Sequence, residues 1–425
     1  MIRLNRIFVS GYKNIEMADL SISDFNIVVG ANNTGKSNLL QVLSLLNFIT
    51  NGGAFVQEIF NNGFRYSEFN EIVSVNEFRK NNTGNININL HFENSDSNLV
   101  FEYYINLKWI RNDNNIRYLV QEEKLNFKQS NQTGRPIRIF ERVLSNVNDE
   151  TTKIKWGTDI GSKKNIESIP VNASVIPFCE LLLNSNIENK GYSDAIKSLR
   201  TILKAPIVFI SNHAIKQNDG KSSDHYGRHV SMNIDYEVFR ILDDNNKNFI
   251  FEKAIKEILN ITEIDKIDFS SGKDERIRLV LFKHEGHYKR FSEFSDGTMS
   301  IMAIICKVLT TDSNLIMIEE PENSTHPKAL LDLIEFIKSF RAEKQFIITT
   351  HSIALLNNSS IEEIIIGTLN ERGLSQFCNV SDKHDILSKL QNKYSNFSDN
   401  IFFYSDDEEE DEILNELDDE DNLEG

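Results

Sequence analysis

The eight residues Gly30-Ala31-Asn32-Asn33-Thr34-Gly35-Lys36-Ser37 constrain this chain more than any other stretch. They follow a short apolar run, Phe25 to Val29, and open a segment from Asn38 to Ile49 with Leu39, Leu40, Leu43 and Leu46 at helical spacing. Strand, glycine turn and helix, with the spacing G-x-x-x-x-G-K-S, is the pattern of a phosphate-binding loop. The glycines let amide N–H groups converge on phosphate oxygens, and the helix N-terminus adds partial positive charge. In that chemistry Lys36 reaches the β- and γ-phosphates and the Ser37 hydroxyl ligates Mg²⁺. Gly30, Asn32, Asn33, Thr34, Gly35, Lys36, Ser37 and Asn38 are the expected nucleotide-binding residues. ATP and Mg²⁺ are the expected cofactors.

The rest of the chain reads as an α/β protein. Residues 2–10 alternate as a strand, Gly11 and Tyr12 break it, and Ile15 to Leu20 resumes it. Residues 85–128 alternate polar and apolar with asparagine-rich turns, which predicts an antiparallel meander. Residues 176–204 and 232–261 carry helical spacing around a strand-like Ile207 to Ile210. Ile277 to Phe282, Leu315 to Ile318 and Phe346 to Thr349 read as strands, with helices over Thr298 to Leu309 and Leu330 to Phe340. Short apolar strands alternating with helices predict a parallel sheet. Four segments are expected: an N-terminal lobe over 1–140, a helical insertion over 141–265, a C-terminal lobe over 266–405 and an acidic disordered tail over 406–425.

Leu315-Ile316-Met317-Ile318-Glu319-Glu320-Pro321 is an apolar strand ending in two carboxylates. A buried strand delivers such groups to the sheet edge where open α/β sheets bind ligands. Glu319 is the expected metal-shell carboxylate and Glu320 the expected general base. A solvated acidic turn gives the same pattern, but the phosphate loop in the same chain favours the chemical reading. Ser295-Asp296-Gly297 precedes an apolar helix, as an ordinary helix cap also would, and begins 25 residues before Glu320. Thr349-Thr350-His351-Ser352 ends the next strand, 31 residues after Glu320 for His351, where an imidazole can hydrogen-bond a γ-phosphate or the attacking water.

The order phosphate loop, serine-glycine block, acidic strand, histidine resembles the ATP-binding-cassette class of ATPases. More narrowly, the chain resembles the RecF/OLD/SMC-related AAA_15/AAA_21 ATPases of bacteria. The similar blocks are IRLNRIFVSGYKNIE, GANNTGKSNLL, FSEFSDGTMSIMAII, IEEPENSTHP and ITTHSIALL. The resemblance implies an ABC-type head that dimerises around ATP, the phosphate loop of one copy facing Ser295, Asp296 and Gly297 of the other. It further implies that Glu322, Asn323 and His326 lie in the loop that communicates between the two sites. Glu319 stands where the wider class usually has Asp, and Asp296 where transporters usually have Gly. None of Gln57, Gln121 and Gln129 is convincing as the glutamine that links metal and lid. A Toprim-type nuclease domain is not expected in the residues after His351, unlike in full OLD nucleases, so the expected role is an ATP-gated sensor in an anti-phage defence module with a separate nuclease or toxin as effector. The alternative is a RecF-like ATPase of DNA repair or DNA loading, with DNA contact.

Two weaker clusters are weighed against bland readings. His213, His225 and His229 near Asp219 and Asp224 could be read as a metal site, but solvated loop histidines fit better. Lys197, Arg200 and Lys204 share a helical face that could meet phosphate or a partner, or simply face solvent. Composition bounds the rest. The net charge of −17 over 425 residues argues against a protein that coats nucleic acid. Yet residues 406–425 hold 13 acidic residues and no basic one, which leaves −4 on residues 1–405. DNA contact by the folded body is therefore not excluded. Three scattered cysteines, Cys179, Cys306 and Cys378, give no disulfide scaffold or zinc spacing. No apolar run suits a membrane span and no signal core opens the chain, so a cytoplasmic location is expected.

Overall fold

In the computed structural model, residues 1–50, 81–112, 115–157, 167–183, 190–205, 207–208, 234–271 and 275–382 are described. The chain packs as two units. The first comprises 1–23, 28–205 and 361–425; the second comprises 24–27 and 206–360. These units are not the four segments expected from sequence, because both are built from stretches far apart in the chain.

In the first unit, β1 (Ile2–Tyr12) lies between β2 (Ile15–Ser21) and β4 (Thr83–Asn94), antiparallel to both. The meander continues through β5 (Leu99–Asn112), β6 (Asn115–Gln129), β7 (Ile137–Val143), β8 (Thr151–Trp156) and β9 (Ser168–Pro170), all antiparallel neighbours. Period-two burial drives it: Ile86, Ile88, Leu90 and Phe92 of β4 and Phe101, Tyr103, Ile105, Leu107 and Trp109 of β5 are buried. The meander therefore runs past residue 140, where a helical insertion was expected. Phe140 and Trp156, edge to face at 6.3 Å, extend the sheet's core there. Helices α1 (Lys36–Phe48), α2 (Ile176–Leu183) and α3 (Lys190–Leu203) complete the unit, α3 packing Tyr192, Ile196, Leu199 and Leu203 inward.

Three features of this unit depart from the sequence reading. Gly11 does not break β1; at φ +73 it stays in the strand, and a Cβ there would strike the carbonyl of Asn85. The turn falls instead at Lys13 and Asn14. Two further strands were not anticipated: β16 (Ile364–Leu369) and β17 (Ser375–Asn379). They form an antiparallel hairpin whose second strand lies parallel to β2.

β3 (Phe25–Gly30) has its first residues in the second unit and its last in the first. The second unit holds the parallel strands β10 (Ile207–Val208), β14 (Leu315–Glu319) and β15 (Gln345–Thr349). Both faces of β14 and β15 are covered, which explains their unbroken apolar runs. Helices α4 (Ile234–Leu242), α5 (Asn245–Leu259), α6 (Asp296–Thr310), α7 (Pro327–Lys338) and α8 (Ile353–Asn357) belong here. α6 is buried almost all round, as expected for a helix apolar on every face. α5 ends at Asn260, left-handed at φ 55, and the chain then enters β11 (Ile261–Ser271), where sequence periodicity predicted more helix only to residue 261. β11 forms a separate sheet with β12 (Glu275–His284) and β13 (His287–Arg290).

Candidate functional site

The phosphate loop has the local structure its sequence dictates. Gly30 and Gly35 both have positive φ, +156 and +77. A Cβ on Gly30 would lie 2.5 Å from the carbonyl oxygen of Gly367, so β16 leaves room only for glycine. Gly35 precedes α1 and is left-handed, as is Asn33 at φ 69. Thr34 is buried and donates to Ala31 O at 2.9 Å, closing the turn. Lys36 is 5% exposed, and its Nζ donates to Gly30 O at 2.8 Å and Ala31 O at 2.9 Å. Asn32 and Asn33 are exposed, whereas Ser37 and Asn38 are half-buried in the first turn of α1.

The acidic strand end is built in the second unit. β14 and β15 are in register, Glu319 opposite Thr349. Glu320 then leaves the strand in the left-handed region, φ 44, with its N–H donating to Thr349 O at 2.9 Å. Its carboxylate is held from two sides. Oε1 lies 3.5 Å from His351 Nε2, and Oε2 accepts from Asn323 Nδ2 at 2.8 Å. Glu322 Oε1 accepts the backbone N–H of His351 at 2.5 Å. Among the described residues, Lys13, Asn33, Glu320 and Ser324 are four of seven left-handed non-glycines, so backbone strain gathers around the loop and the strand end.

The serine-glycine block is a helix start, as the plainer reading held. Ser295 caps α6, its Oγ accepting from Thr298 N at 3.3 Å. Gly297 adds something a cap does not require: a Cβ there would collide with the carbonyl of Ser324. The helix start and the turn after Glu320 thus approach backbone to backbone. His326 caps α7, its Nδ1 accepting from Lys328 N at 3.3 Å.

A protein-family model described as "AAA domain, putative AbiEii toxin, Type IV TA system", AAA_21, matches residues 25–357. The chain belongs to the AAA_21 family. It is therefore a P-loop protein of the AAA ATPases, with nucleotide binding as its family's common property. No curated protein matches its sequence. Among solved structures it is similar to an Smc head bound to the C-terminal winged-helix domain of ScpA, with 13% identity, a TM-score of 0.46, 88% of this chain covered and 96% of that one. It is also similar to the SMC head domain from Thermotoga maritima, with 13% identity, a TM-score of 0.40 and coverage of 88% and 98%. A third is the Smc head with an extended coiled coil bound to the C-terminal domain of ScpA from Pyrococcus furiosus, with 11% identity, a TM-score of 0.43 and coverage of 92% and 100%.

In this AAA_21 chain the predicted site residues divide between the two units. Glu319, Glu320, His351, Ser295, Asp296 and Gly297 lie in the second, and residues 30–38 of the phosphate loop in the first. One sequence expectation needs correction. Arg200 is not on a solvated basic face; it is buried, and its guanidinium donates to Thr50 Oγ1 at 2.9 Å and Thr50 O at 2.6 Å. Lys197 and Lys204 alone are exposed there. The histidines 213, 225 and 229, Gln57 and the tail 406–425 lie outside the described residues. Among the described residues, no three or more of His, Cys, Asp and Glu gather in a way that could hold a metal ion. No described helix is long and apolar enough to cross a membrane. Sequence reasoning missed Asn14, whose neighbours place it against the loop, because a turn asparagine gives no signal of what it will touch.

Proposed function

We propose that this AAA_21 chain hydrolyses ATP to ADP and phosphate with Mg²⁺, as a switch that dimerises around nucleotide. The loop fits the phosphate group: two positive-φ glycines keep side chains out of the turn, and a buried lysine lies along its carbonyls. Lys36 exchanges those carbonyls for the β- and γ-phosphates. For Mg²⁺, the hydroxyl of Ser37 and the carboxylate of Glu319 are oxygen donors of the kind a hard cation takes. When bound, Mg²⁺ would supply charge neutralisation on the phosphates. Gly30, Asn32, Asn33, Thr34, Gly35 and Asn38 shape the cradle, and Ser295, Asp296 and Gly297 offer the partner's nucleotide the N-terminus of α6.

The observation that carries hydrolysis, and not binding alone, is the setting of Glu320. Its carboxylate is fixed by Asn323 on one oxygen and faces His351 with the other. A carboxylate so oriented takes a proton from the attacking water, and His351 hydrogen-bonds the water or the γ-phosphate. A phosphate-release assay tests this. Lys36→Ala should abolish turnover, and Glu320→Gln should slow it by roughly 10²- to 10⁴-fold while nucleotide stays bound. Full turnover by Glu320→Gln would sink the assignment.

The biological setting we favour is the sensor ATPase of a bacterial defence module whose effector is a separate nuclease or toxin. The "Type IV TA system" in the family description supports a paired arrangement of this kind. Purification of the Glu320→Gln protein from its host should bring down one stoichiometric partner. Recovery of DNA in its place, with turnover stimulated by DNA and falling steeply with salt, would favour the DNA-repair alternative.

A further inference from the structure

Lys13 and Asn14 form the turn between β1 and β2, and their hydrogen bonds run in one direction. Lys13 Nζ, which can only donate, reaches Asn38 Oδ1 at 3.0 Å and Gln41 Oε1 at 2.5 Å. The amide of Asn38 must then turn its nitrogen the other way, and Nδ2 donates to Asn14 Oδ1 at 2.7 Å. That in turn fixes Asn14: its Nδ2 donates to the carbonyl of Asn33 at 2.9 Å and to Ser375 Oγ at 2.7 Å. Asn33 O is an acceptor only, so the order cannot be reversed. Asn14 also fills the space beside Gly35, where a Cβ would lie 2.5 Å from Asn14 Oδ1. One amide thereby holds the strained residue of the phosphate loop, the first turn of α1 and the start of β17.

The β17 side of this clamp is firm. Ser375 is fully buried, and its N–H donates to Asn14 O at 2.7 Å. Glu16 accepts from Asn370 Nδ2 and Gln376 Nε2, each at 2.7 Å, and Arg372 lies 3.3 Å away. Asn379 closes the far end, exchanging two bonds with Ser21 at 2.9 and 2.8 Å.

We infer that Asn14 is a positioning residue that holds the phosphate loop in its binding shape before ligand arrives, with the β16–β17 hairpin as its anchor through Ser375. This rests on the reading of the loop as a nucleotide site only for its consequence, not for its geometry. A loop fixed beforehand leaves less ordering to be done on binding, so affinity falls when the clamp is cut.

Hydrogen exchange of the nucleotide-free protein, with and without Asn14→Ala and Ser375→Ala, tests the clamp directly. Asn14 is half-buried and its backbone bond to Ser375 survives in Asn14→Ala, so the fold should persist. Exchange should quicken in a peptide over residues 28–40 while one over 86–107 is unchanged. Asn14→Asp keeps the acceptor for Asn38 but loses both donors, and should behave like Asn14→Ala. The affinity for MgATP should fall roughly tenfold in Asn14→Ala. Unchanged exchange in 28–40 for a folded Asn14→Ala protein would overturn the proposal. Faster exchange together with no Lys36-dependent ATP binding in the parent protein would uphold the clamp and refute the ATP reading.

Discussion

Glu322 binds the backbone of His351, its Oε1 accepting the N–H at 2.5 Å, while Oε2 is buried without a hydrogen-bond partner among the described residues. The same turn carries Asn323, which holds Glu320. Two side chains of one turn therefore set the relation of Glu320 to His351. A charge-assisted bond of this kind contributes about 1.5–3 kcal/mol. Glu322→Ala should lower kcat by roughly 10- to 100-fold and leave KM for ATP nearly unchanged. Glu322→Gln, which keeps an acceptor for His351, should recover much of that loss. A rise in KM with kcat intact, measured by steady-state phosphate release, would place Glu322 in nucleotide binding instead.

Gly297→Ala sets two effects against each other. Alanine favours a helix over glycine by about 0.8–1.0 kcal/mol, so an open helix start would gain stability. The added Cβ meets the Ser324 carbonyl, however, and the helix start and the turn would have to separate. Overpacking of this kind costs about 1–3 kcal/mol, so the clash wins. A lowered melting temperature is expected, together with reduced turnover, because Ser324 directly follows Asn323. An unchanged or raised melting temperature would show that the two backbones part without cost.

Much of this was legible in the sequence, and the reasons for the remainder are physical. Residues 30–37 announce the loop because its chemistry demands glycine at fixed places, and β14 and β15 announce themselves because burial on both faces makes Leu315 to Ile318 and Phe346 to Ile348 apolar without a break. The β16–β17 hairpin gave little signal: Ile364 to Ile366 is apolar but short, and Ser375, Asn379 and Gln376 are polar residues that a sequence reading assigns to solvent. They are instead bonded to Asn14, Ser21 and Glu16, in β2 and the turn before it, and Ser375 and Asn14 are 361 residues apart. Arg200 failed for the same reason. Helical spacing shows which residues share a face, but a buried guanidinium needs a partner, and Thr50 lies 150 residues away.

The first unit should lose stability in mild acid. His91 of β4 stands opposite Arg6 of β1 and Glu102 of β5. Burial lowers its pKa below the usual 6.5, and nearby Glu102 only partly offsets this. For a base lowered on folding, the stability it contributes is present above the unfolded value and lost as pH falls through the folded one. Thermal melts should therefore fall between pH 7 and the region below 6. His91→Asn should flatten that part of the curve. Equal slopes for the two proteins would assign the acid sensitivity elsewhere.

Arg142 is the largest fully buried side chain among the described residues, and its Nη atoms donate to four carbonyls: Val120 and Val171 at 2.7 Å, Pro170 at 3.4 Å, and Ala173. Burial lowers its pKa to about 10, and Glu123 opposes the shift. Glu123 is itself buried and accepts from Tyr103 Oη at 3.0 Å, Ser174 Oγ at 2.7 Å and Val175 N at 2.9 Å. Its pKa is raised by burial, with Arg142 the main opposing influence. Arg142→Ala would leave Glu123 charged without its counter-ion and several carbonyls unmet. Leaving buried carbonyls without a donor costs about 1–3 kcal/mol each, so this substitution should lower the denaturation midpoint more than Gly297→Ala. The pH dependence separates charge from packing. With its counter-ion gone, Glu123 should bind a proton more readily when folded, and an acid raised on folding contributes stability at low pH that is lost as pH rises through the folded value. The defect of Arg142→Ala should therefore shrink from pH 8 to pH 5. An equal defect at both pH values would mean that the lost carbonyl bonds, and not the charge on Glu123, dominate.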